Sequence, residues 1–176
     1  MKKFELTSEF VTFLGKTLFR IKALVSFGDV AEGELGGFIE RENNLDQSGD
    51  AWVYGDAQVF GDARVYGDAQ VFGDARVYGD ARVYGDAWVF GDARVYGDAR
   101  VQNCRDYSAT SCFGSENRTT TFFRTKDGGI SVRCGCFYGT LREFREKVKE
   151  RHGDSRLAKE YLMLADLMEF RLSKDE

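Results

Sequence analysis

Residues 49–66 read GDAWVYGDAQVFGDARVY, which is three copies of one six-residue phrase, Gly-Asp-Ala-x-Val-aromatic. The phrase occurs nine times without a gap over residues 49–102, and only the last copy differs, ending in Gln102. Self-similarity at a fixed period is the signature of repeat architectures, in which each unit stacks on its neighbours. The rest of the chain is therefore expected to be organised around this tract.

Each phrase places a small apolar residue two positions before a valine, as Ala51 and Val53 do in the first copy. Two-residue spacing puts both on one side of an extended strand and their neighbours on the other. The Gly-Asp pair favours a corner, because Gly accepts a positive φ and Asp bonds to nearby backbone. The pattern predicts a short strand and a corner in every phrase, with Ala and Val inside.

A coil with three flat sides satisfies this pattern. Three phrases make one turn of 18 residues, nine phrases make three turns, and successive turns stack as parallel strands roughly 4.8 Å apart. Such a coil resembles the left-handed parallel β-helix of hexapeptide-repeat proteins, and the hand follows from the resemblance alone. A disordered low-complexity tract is the alternative, but strict alternation and frequent valines are not signals of disorder.

The remaining sequence predicts a mainly β fold in three parts. Residues 1–48 are predicted to be an N-terminal β-hairpin and cap, with a turn at Gly15-Lys16, because a solenoid end must be covered. Residues 49–103 are the solenoid. Residues 104–176 are predicted to be a small ββαα unit docked on it, whose first helix begins at the capping box Thr140-Leu-Arg-Glu143.

Stacking at 18 residues creates one aromatic side with no charged residue on its flat. Its members are Trp52, Tyr54, Phe72, Trp88 and Phe90. Five large aromatic side chains could hide on the order of 1,000 Å², which exceeds the largest apolar patch of a typical monomer. We expect an interface here, covered either by the C-terminal segment of the chain or by another copy.

Another side combines cations with aromatic rings: Arg64, Arg82, Arg100, Tyr66 and Tyr84. Such a ladder could contact a polyanion or a partner, since phosphate backbones are bound by basic and aromatic side chains. However, the solenoid holds nine aspartates against five arginines. Regular acidic columns could instead imitate nucleic acid in a basic groove of another protein, so direct nucleic-acid binding stays an open alternative without further support.

Catalytic chemistry is not expected. The one histidine, His152, lies outside the repeats, whereas the resemblance implies a coil histidine as general base in hexapeptide-repeat acyltransferases and several histidine ligands in carbonic anhydrases. The carbonic anhydrase interpretation is excluded, and the acyltransferase is kept as an alternative. No catalytic residue and no cofactor are predicted.

The four cysteines are the weak candidates for a metal site: Cys104, Cys112, Cys134 and Cys136. Four thiolates can hold zinc, but the paired C-x₂-C spacing of common zinc ribbons is missing. Small buried apolar residues in a reducing compartment are the preferred interpretation. The first ten residues lack the apolar run of a signal peptide, and no apolar stretch approaches the length of a membrane span. A cytoplasmic protein without membrane contact is expected.

Motifs along the whole chain resemble a group of phage and prophage proteins. The residues concerned are Thr17-Leu-Phe-Arg-Ile-Lys-Ala-Leu, Phe27-Gly-Asp, Gly36-Gly37-Phe-Ile-Glu, Asn44-Leu45 and Gly49-Asp-Ala-Trp-Val-Tyr. Such proteins are described as hexapeptide-repeat or polymer-forming proteins, and the resemblance implies a phage origin and no set of catalytic residues. We therefore expect a non-catalytic protein with a rigid binding surface, in its sharpest form a counter-defence inhibitor of a host defence protein, as anti-CRISPR proteins are. A self-assembling structural protein, a homo-oligomer, is the alternative.

Overall fold

The computed structural model describes residues 2–173, and the outer ends of the two predicted flanking units, residues 1 and 174–176, lie outside the described residues. Three strands open the chain: β1 (Phe4–Phe13), β2 (Lys16–Ala23) and β3 (Leu35–Ile39). β1 and β2 form an antiparallel hairpin, and β3 pairs antiparallel with the other edge of β2. The N-terminal hairpin is thus one end of a larger sheet that continues into the solenoid.

The hairpin turn lies one residue earlier than Gly15-Lys16, so that prediction is wrong. Phe13 pairs with Lys16, which leaves Leu14 and Gly15 as the two central residues, with φ of 49° and 75°. Positive φ at both central positions is what a turn matched to the right-handed strand twist requires. Strand twist therefore places Leu14 in a conformation that its side chain disfavours.

Nine two-residue strands, one in each phrase, form the solenoid. They are β4 (Trp52–Val53), β5 (Gln58–Val59), β6 (Arg64–Val65), β7 (Gln70–Val71), β8 (Arg76–Val77), β9 (Arg82–Val83), β10 (Trp88–Val89), β11 (Arg94–Val95) and β12 (Arg100–Val101). Strands three phrases apart pair in parallel, so that Trp52, Gln70 and Trp88 align in one column. The predicted three-sided stack is confirmed.

The solenoid has about four turns, where the nine phrases alone predict three. The additional turn precedes the repeats: β3 pairs in parallel with β5, and Leu45, after a short 3₁₀ helix (Glu42–Asn44), bridges in parallel to Val65. Gly37 permits this stacking, because a Cβ there would lie 2.5 Å from the carbonyl oxygen of Ala57. A β-solenoid turn can therefore form without the Gly-Asp-Ala phrase.

The interior is a single narrow column of small side chains. Every Ala and every Val of the nine phrases has no exposed surface. The column continues upward into Phe4 and Ile21 of the N-terminal hairpin and ends below at Tyr107 and Phe123. The inward orientation predicted for Ala and Val is confirmed.

Each end of the stack has backbone groups without a strand partner: carbonyl groups at the N-terminal end and an N–H group at the C-terminal end. At the N-terminal end, the carbonyl oxygens of Ala51 and Ala63 accept hydrogen bonds from Lys3 Nζ (2.9 Å) and Asn44 Nδ2 (2.9 Å). At the other end, the N–H group of Arg94 donates to Thr121 Oγ1 at 3.0 Å. Since unpaired buried backbone groups are costly and open edges recruit other chains, these side chains end the stack on both sides.

The C-terminal unit contains four antiparallel strands instead of the predicted two. They are β13 (Tyr107–Phe113), β14 (Arg118–Arg124), β15 (Ile130–Cys134) and β16 (Phe137–Thr140). β13 is an edge strand in which Tyr107 alone is buried. Because most of its residues are polar and accessible, no alternation of apolar residues predicts this strand from the sequence. Ala99 bridges to Thr125, which attaches this sheet to the last solenoid turn.

Two helices follow, α1 (Leu141–His152) and α2 (Arg156–Leu172). α1 begins with the predicted capping box: Thr140 Oγ1 accepts from the Glu143 N–H group, and the Glu143 carboxylate accepts from the Thr140 N–H group at 2.7 Å. The helices pack on the sheet around a second core of buried residues that includes Phe122, Phe144 and Tyr161. Among residues 2–173, no helix is both long and apolar enough to cross a membrane.

Candidate binding face

The first tryptophan of the aromatic side is covered by the chain itself. Trp52 has no exposed surface, and the rings of Phe27 and Phe4 lie edge-on to it with centroids at 5.3 Å and 6.2 Å. The prediction that Trp52 belongs to an interface is therefore wrong, and the cover comes from the N-terminal unit instead of the C-terminal segment or another copy. Residues far from Trp52 in sequence provide the rings, so the repeat pattern contains no signal of them.

The other end of the aromatic side is open. Trp88 and Phe90 are 50% and 51% exposed. Phe72 stacks on Phe90 with centroids 5.6 Å apart and meets Trp88 edge-on at 6.2 Å, while Tyr54 meets Phe72 at 6.4 Å. Tyr54, Phe72, Trp88 and Phe90 thus form one continuous surface, which we call the open aromatic row.

The C-terminal unit supports the end of this row through Tyr107. The N–H group of Phe90 donates a hydrogen bond to Tyr107 Oη at 3.3 Å, and the two rings lie edge to face at 6.4 Å. Burial raises the pKa of Tyr107 to about 12, so its hydroxyl remains neutral at physiological pH. No repeat pattern marks Tyr107 in the sequence, because it lies in the polar stretch where the period has ended. This contact replaces the partner that a further solenoid turn would provide.

Exposed carboxylates border the open aromatic row on both edges. Asp68 and Asp86 precede the strands of this side, and Asp74 and Asp92 follow them. All four residues are exposed, and within residues 2–173 none of them forms a salt bridge. The row is therefore an apolar strip with a rim of exposed carboxylates along each edge.

The two rims differ in their surroundings. Asp74 and Asp92 share a cleft of about 370 Å³ with Arg76, Arg94 and Arg118. The guanidinium of Arg76 lies 4.2 Å from the centre of the Phe13 ring, and burial lowers its pKa. The rim of Asp68 and Asp86 does not border this cleft, so it is the more strongly acidic edge of the face.

Most of the arginine ladder is engaged in holding the corners of the solenoid. Arg82 Nη1 donates to the carbonyl oxygen of Asp62 at 2.6 Å, and Arg100 Nη1 donates to that of Asp80 at 2.8 Å. Both guanidiniums also pair with the Asp80 carboxylate, and the hydrogen bond from Arg100 lowers the pKa of that carboxyl group. These two cations therefore already have hydrogen-bond acceptors in the protein.

The rest of the predicted polyanion contact is accessible. Arg64 is exposed and has no salt bridge in the described part of the chain. Tyr66 and Tyr84 stack with centroids 5.1 Å apart and an interplanar angle of 5°. Nucleic-acid binding on this side remains a prediction, with Arg64 as its one cation that makes no intramolecular pair among residues 2–173.

The cysteines and the histidine are spread over the C-terminal part of the chain: Cys104 shares a cleft with Phe90, whereas Cys134, Cys136 and His152 line another cavity. Cys104, Cys112 and Cys136 are exposed and Cys134 is half-buried, so the prediction that they are small buried residues is wrong. Over residues 2–173, no three His, Cys, Asp or Glu side chains come together in a way that could hold a metal ion. His152 stacks on Tyr161 with ring centroids 5.7 Å apart in the C-terminal unit.

The repeats match the model of a known β-solenoid family. The model of the YdcK beta solenoid repeat family matches residues 57–73, 69–83, 75–91 and 93–104. These segments lie almost wholly within the nine phrases, and the match agrees with the β-solenoid observed there. No curated protein matches the chain. The chain is thus similar to a β-solenoid repeat family over its solenoid.

Proposed function

We propose that this chain is a non-catalytic binding protein whose working surface is the open aromatic row. The observation that supports this best is the half exposure of Trp88 and Phe90 on a rigid stack, between exposed carboxylates. Tryptophan and tyrosine are the residues that most often dominate binding energy at interfaces. Because the solenoid holds these rings in register before a partner arrives, little conformational entropy is lost on binding.

The partner is a protein with an apolar centre and a basic border. An aromatic strip between acidic rims is complementary in shape and charge to such a surface. The acidic edge of Asp68 and Asp86 would meet the most basic part of the partner. Proteins that bind nucleic acid have surfaces of this kind, so the regular carboxylates of the corners would act as a substitute for phosphates.

A host defence protein is the partner to test first. The resemblance of the chain to phage and prophage proteins supports a counter-defence role of the anti-CRISPR kind, and many defence nucleases have basic grooves. The same resemblance supports the finer assignment of the solenoid to the left-handed hexapeptide-repeat type. The host cytoplasm is then the compartment in which the protein acts.

Self-association through the same row is the second candidate. Two copies placed face to face would bury the exposed rings of both, which favours a dimer. If the rim of Asp68 and Asp86 met the same rim of the second copy, like charges would face each other, which is unfavourable. A second copy therefore satisfies both features of the face only where this rim meets the arginines beside Asp74 and Asp92, whereas a basic partner satisfies both directly. Sedimentation equilibrium separates the two, because the dimer predicts a doubled mass that Trp88→Ala abolishes.

The experiment compares three tagged proteins as baits in lysate of a bacterial host: wild type, the double variant Trp88→Ala/Phe90→Ala, and the control Tyr84→Ala. Tyr84 is an accessible aromatic residue on another side of the solenoid, so the control removes a ring without changing the row. We expect a basic protein that wild type and control retain, that the double variant loses, and that elutes early with salt. If all three baits retain the same proteins, the proposal is wrong.

A further inference from the structure

The C-terminal unit contains an open cavity of about 460 Å³ that shares no residue with the open aromatic row. It lies between the tip of the β13–β14 hairpin, the tip of the β15–β16 hairpin and one face of α1. Its volume falls within the roughly 300–1,000 Å³ of ordinary small-molecule sites. The cavity therefore has the dimensions of a ligand site.

One wall of the cavity is apolar and rigid. Phe144 and Val148 lie one turn apart on α1, and Phe137 and Tyr161 complete the wall. The ring centroids of Phe144 lie 5.6 Å from Phe137 and 5.8 Å from Tyr161. Phe144, the two rings that pack on it and Val148 thus form a preformed surface for an apolar or aromatic body.

The cavity also has a cationic border. Lys147, Arg151 and His152 extend from the same face of α1, and Arg118 approaches from the β13–β14 tip. Glu116 is the one carboxylate that lines the cavity in the described part of the chain, and its oxygen lies 3.5 Å from the Arg118 guanidinium.

The cations keep most of their capacity to bind an anion. Lys147 contacts Glu150 at 2.8 Å, but both side chains are exposed, and exposed pairs contribute little. Arg151 forms no salt bridge with any residue in 2–173. Three permanent positive charges thus stand against one negative charge around an apolar pocket.

We propose that this cavity binds a small amphipathic anion. Its carboxylate, sulfonate or phosphate group lies at the border with Arg151 and Lys147, and its apolar or aromatic body lies against Phe137, Phe144 and Val148. Guanidinium groups bind such head groups with charge-assisted, often bidentate hydrogen bonds. This site is independent of the proposed binding face, so either can fail while the other stands.

A pair of fluorescent probes tests both halves of the site. 8-Anilinonaphthalene-1-sulfonate is an aromatic anion, and N-phenyl-1-naphthylamine has the same aromatic body without the sulfonate. We expect the sulfonate to bind wild-type protein saturably at one site, and the neutral amine to bind at least about tenfold more weakly, the scale of one charge-assisted hydrogen bond.

Two charge reversals on the same helix provide the matched comparison. Arg151→Glu should weaken binding of the sulfonate by at least about tenfold, whereas Lys149→Glu, with the same change in net charge away from the cavity, should change it less than about twofold. Trp88→Ala/Phe90→Ala should leave binding unchanged, which excludes the open aromatic row as the site. Equal effects of the two reversals, equal binding of both probes, or loss of binding in the double alanine variant would each overturn the proposal.

Discussion

Trp52 and Trp88 occupy the same position in two copies of one phrase, Gly-Asp-Ala-Trp-Val, two turns apart on the same side of the solenoid. Trp52 is fully buried and Trp88 is half exposed. The phrase determines where each ring lies and in which direction it points. The flanking units determine what each ring contacts, so only the second tryptophan is available to a partner.

The two ends of the solenoid are closed by different means, and this produces the difference. The N-terminal unit places Phe4 and Phe27 over Trp52, and the buried Lys3 amine ties the same unit to the carbonyl oxygen of Ala51. The C-terminal unit contacts the edge of the last turn through Tyr107 and leaves the outer surface of the row uncovered. The aromatic side of the solenoid is thus covered at one end and open at the other because of units that do not repeat.

The largest expected effect is a difference in the free energy of unfolding that is lost when each tryptophan is replaced by alanine. Trp52→Ala removes a fully buried ring and should lower the free energy of unfolding by about 3–5 kcal/mol. Trp88→Ala removes a half-exposed ring and should cost less than about 1 kcal/mol. Urea unfolding followed by far-ultraviolet circular dichroism measures both. Equal costs would show that the covered and open ends do not differ in this way.

Two corner glycines differ in the same way as the two tryptophans: Gly67 lies against the next turn, and Gly91 does not. Both Gly67 and Gly91 have positive φ, 72° and 64°. A Cβ on Gly67 would lie 3.1 Å from the nitrogen of Gly85 in the next turn, whereas one on Gly91 would contact nothing within 4 Å. Gly91→Ala should therefore cost about 1 kcal/mol from the backbone alone, and Gly67→Ala about 2 kcal/mol or more. Thermal unfolding of both variants tests this, and a greater loss at Gly91 would contradict the stacking of corners.

A smaller effect concerns Lys3 at the covered end. Burial lowers the pKa of its ammonium from 10.5 to about 8, although Asp46 and Asp50 act in the opposite direction. Below pH 8 the amine is charged in both states and the cost of burying it is present in full. Between pH 8 and 10.5 the unfolded state binds more protons, so stability rises with pH.

The free energy of unfolding of wild type, relative to that of Lys3→Met, should therefore increase by about 1 kcal/mol between pH 7 and pH 9. The methionine variant is the control, because every other titrating group is common to both proteins. The structure places the Lys3 amine 4.8 Å from the centre of the Phe27 ring and within hydrogen-bond distance of the Ala51 carbonyl oxygen. A difference in stability that is constant or decreases with pH would contradict this buried position.

The solenoid itself could be predicted because its information is local and repeated. Nine copies of the same alternation determine which side chains point inward, and the period determines which residues align, as Trp52, Gln70 and Trp88 do. The capping box at Thr140 and Glu143 is likewise a local signal, and it is present where expected.

What the sequence did not reveal depends on distant contacts or on residues outside the phrase. In the first turn Ile39 and Leu45 align with Val59 and Val65, but no Gly-Asp-Ala precedes either of them, so the repeated phrase does not indicate this turn. The cover over Trp52 comes from rings that no local pattern connects to it. Only one residue of the edge strand β13 is buried, so the strand is mostly polar and shows no apolar alternation in the sequence. The cavity of the C-terminal unit joins three separate segments, so it exists only in the fold.

Quenching of tryptophan fluorescence by charged ions tests the central claim most directly, since the protein contains only two tryptophans. Trp52→Phe leaves Trp88 as the single emitter, and Trp88→Phe leaves Trp52. With quenching by each ion expressed relative to its quenching of free tryptophan, we predict that caesium quenches Trp88 several-fold more strongly than iodide at low salt, because the exposed carboxylates concentrate cations there. Trp52 should resist both ions. Iodide quenching of Trp88 equal to that by caesium, or quenching of Trp52 as ready as that of Trp88, would contradict the open, acid-rimmed face.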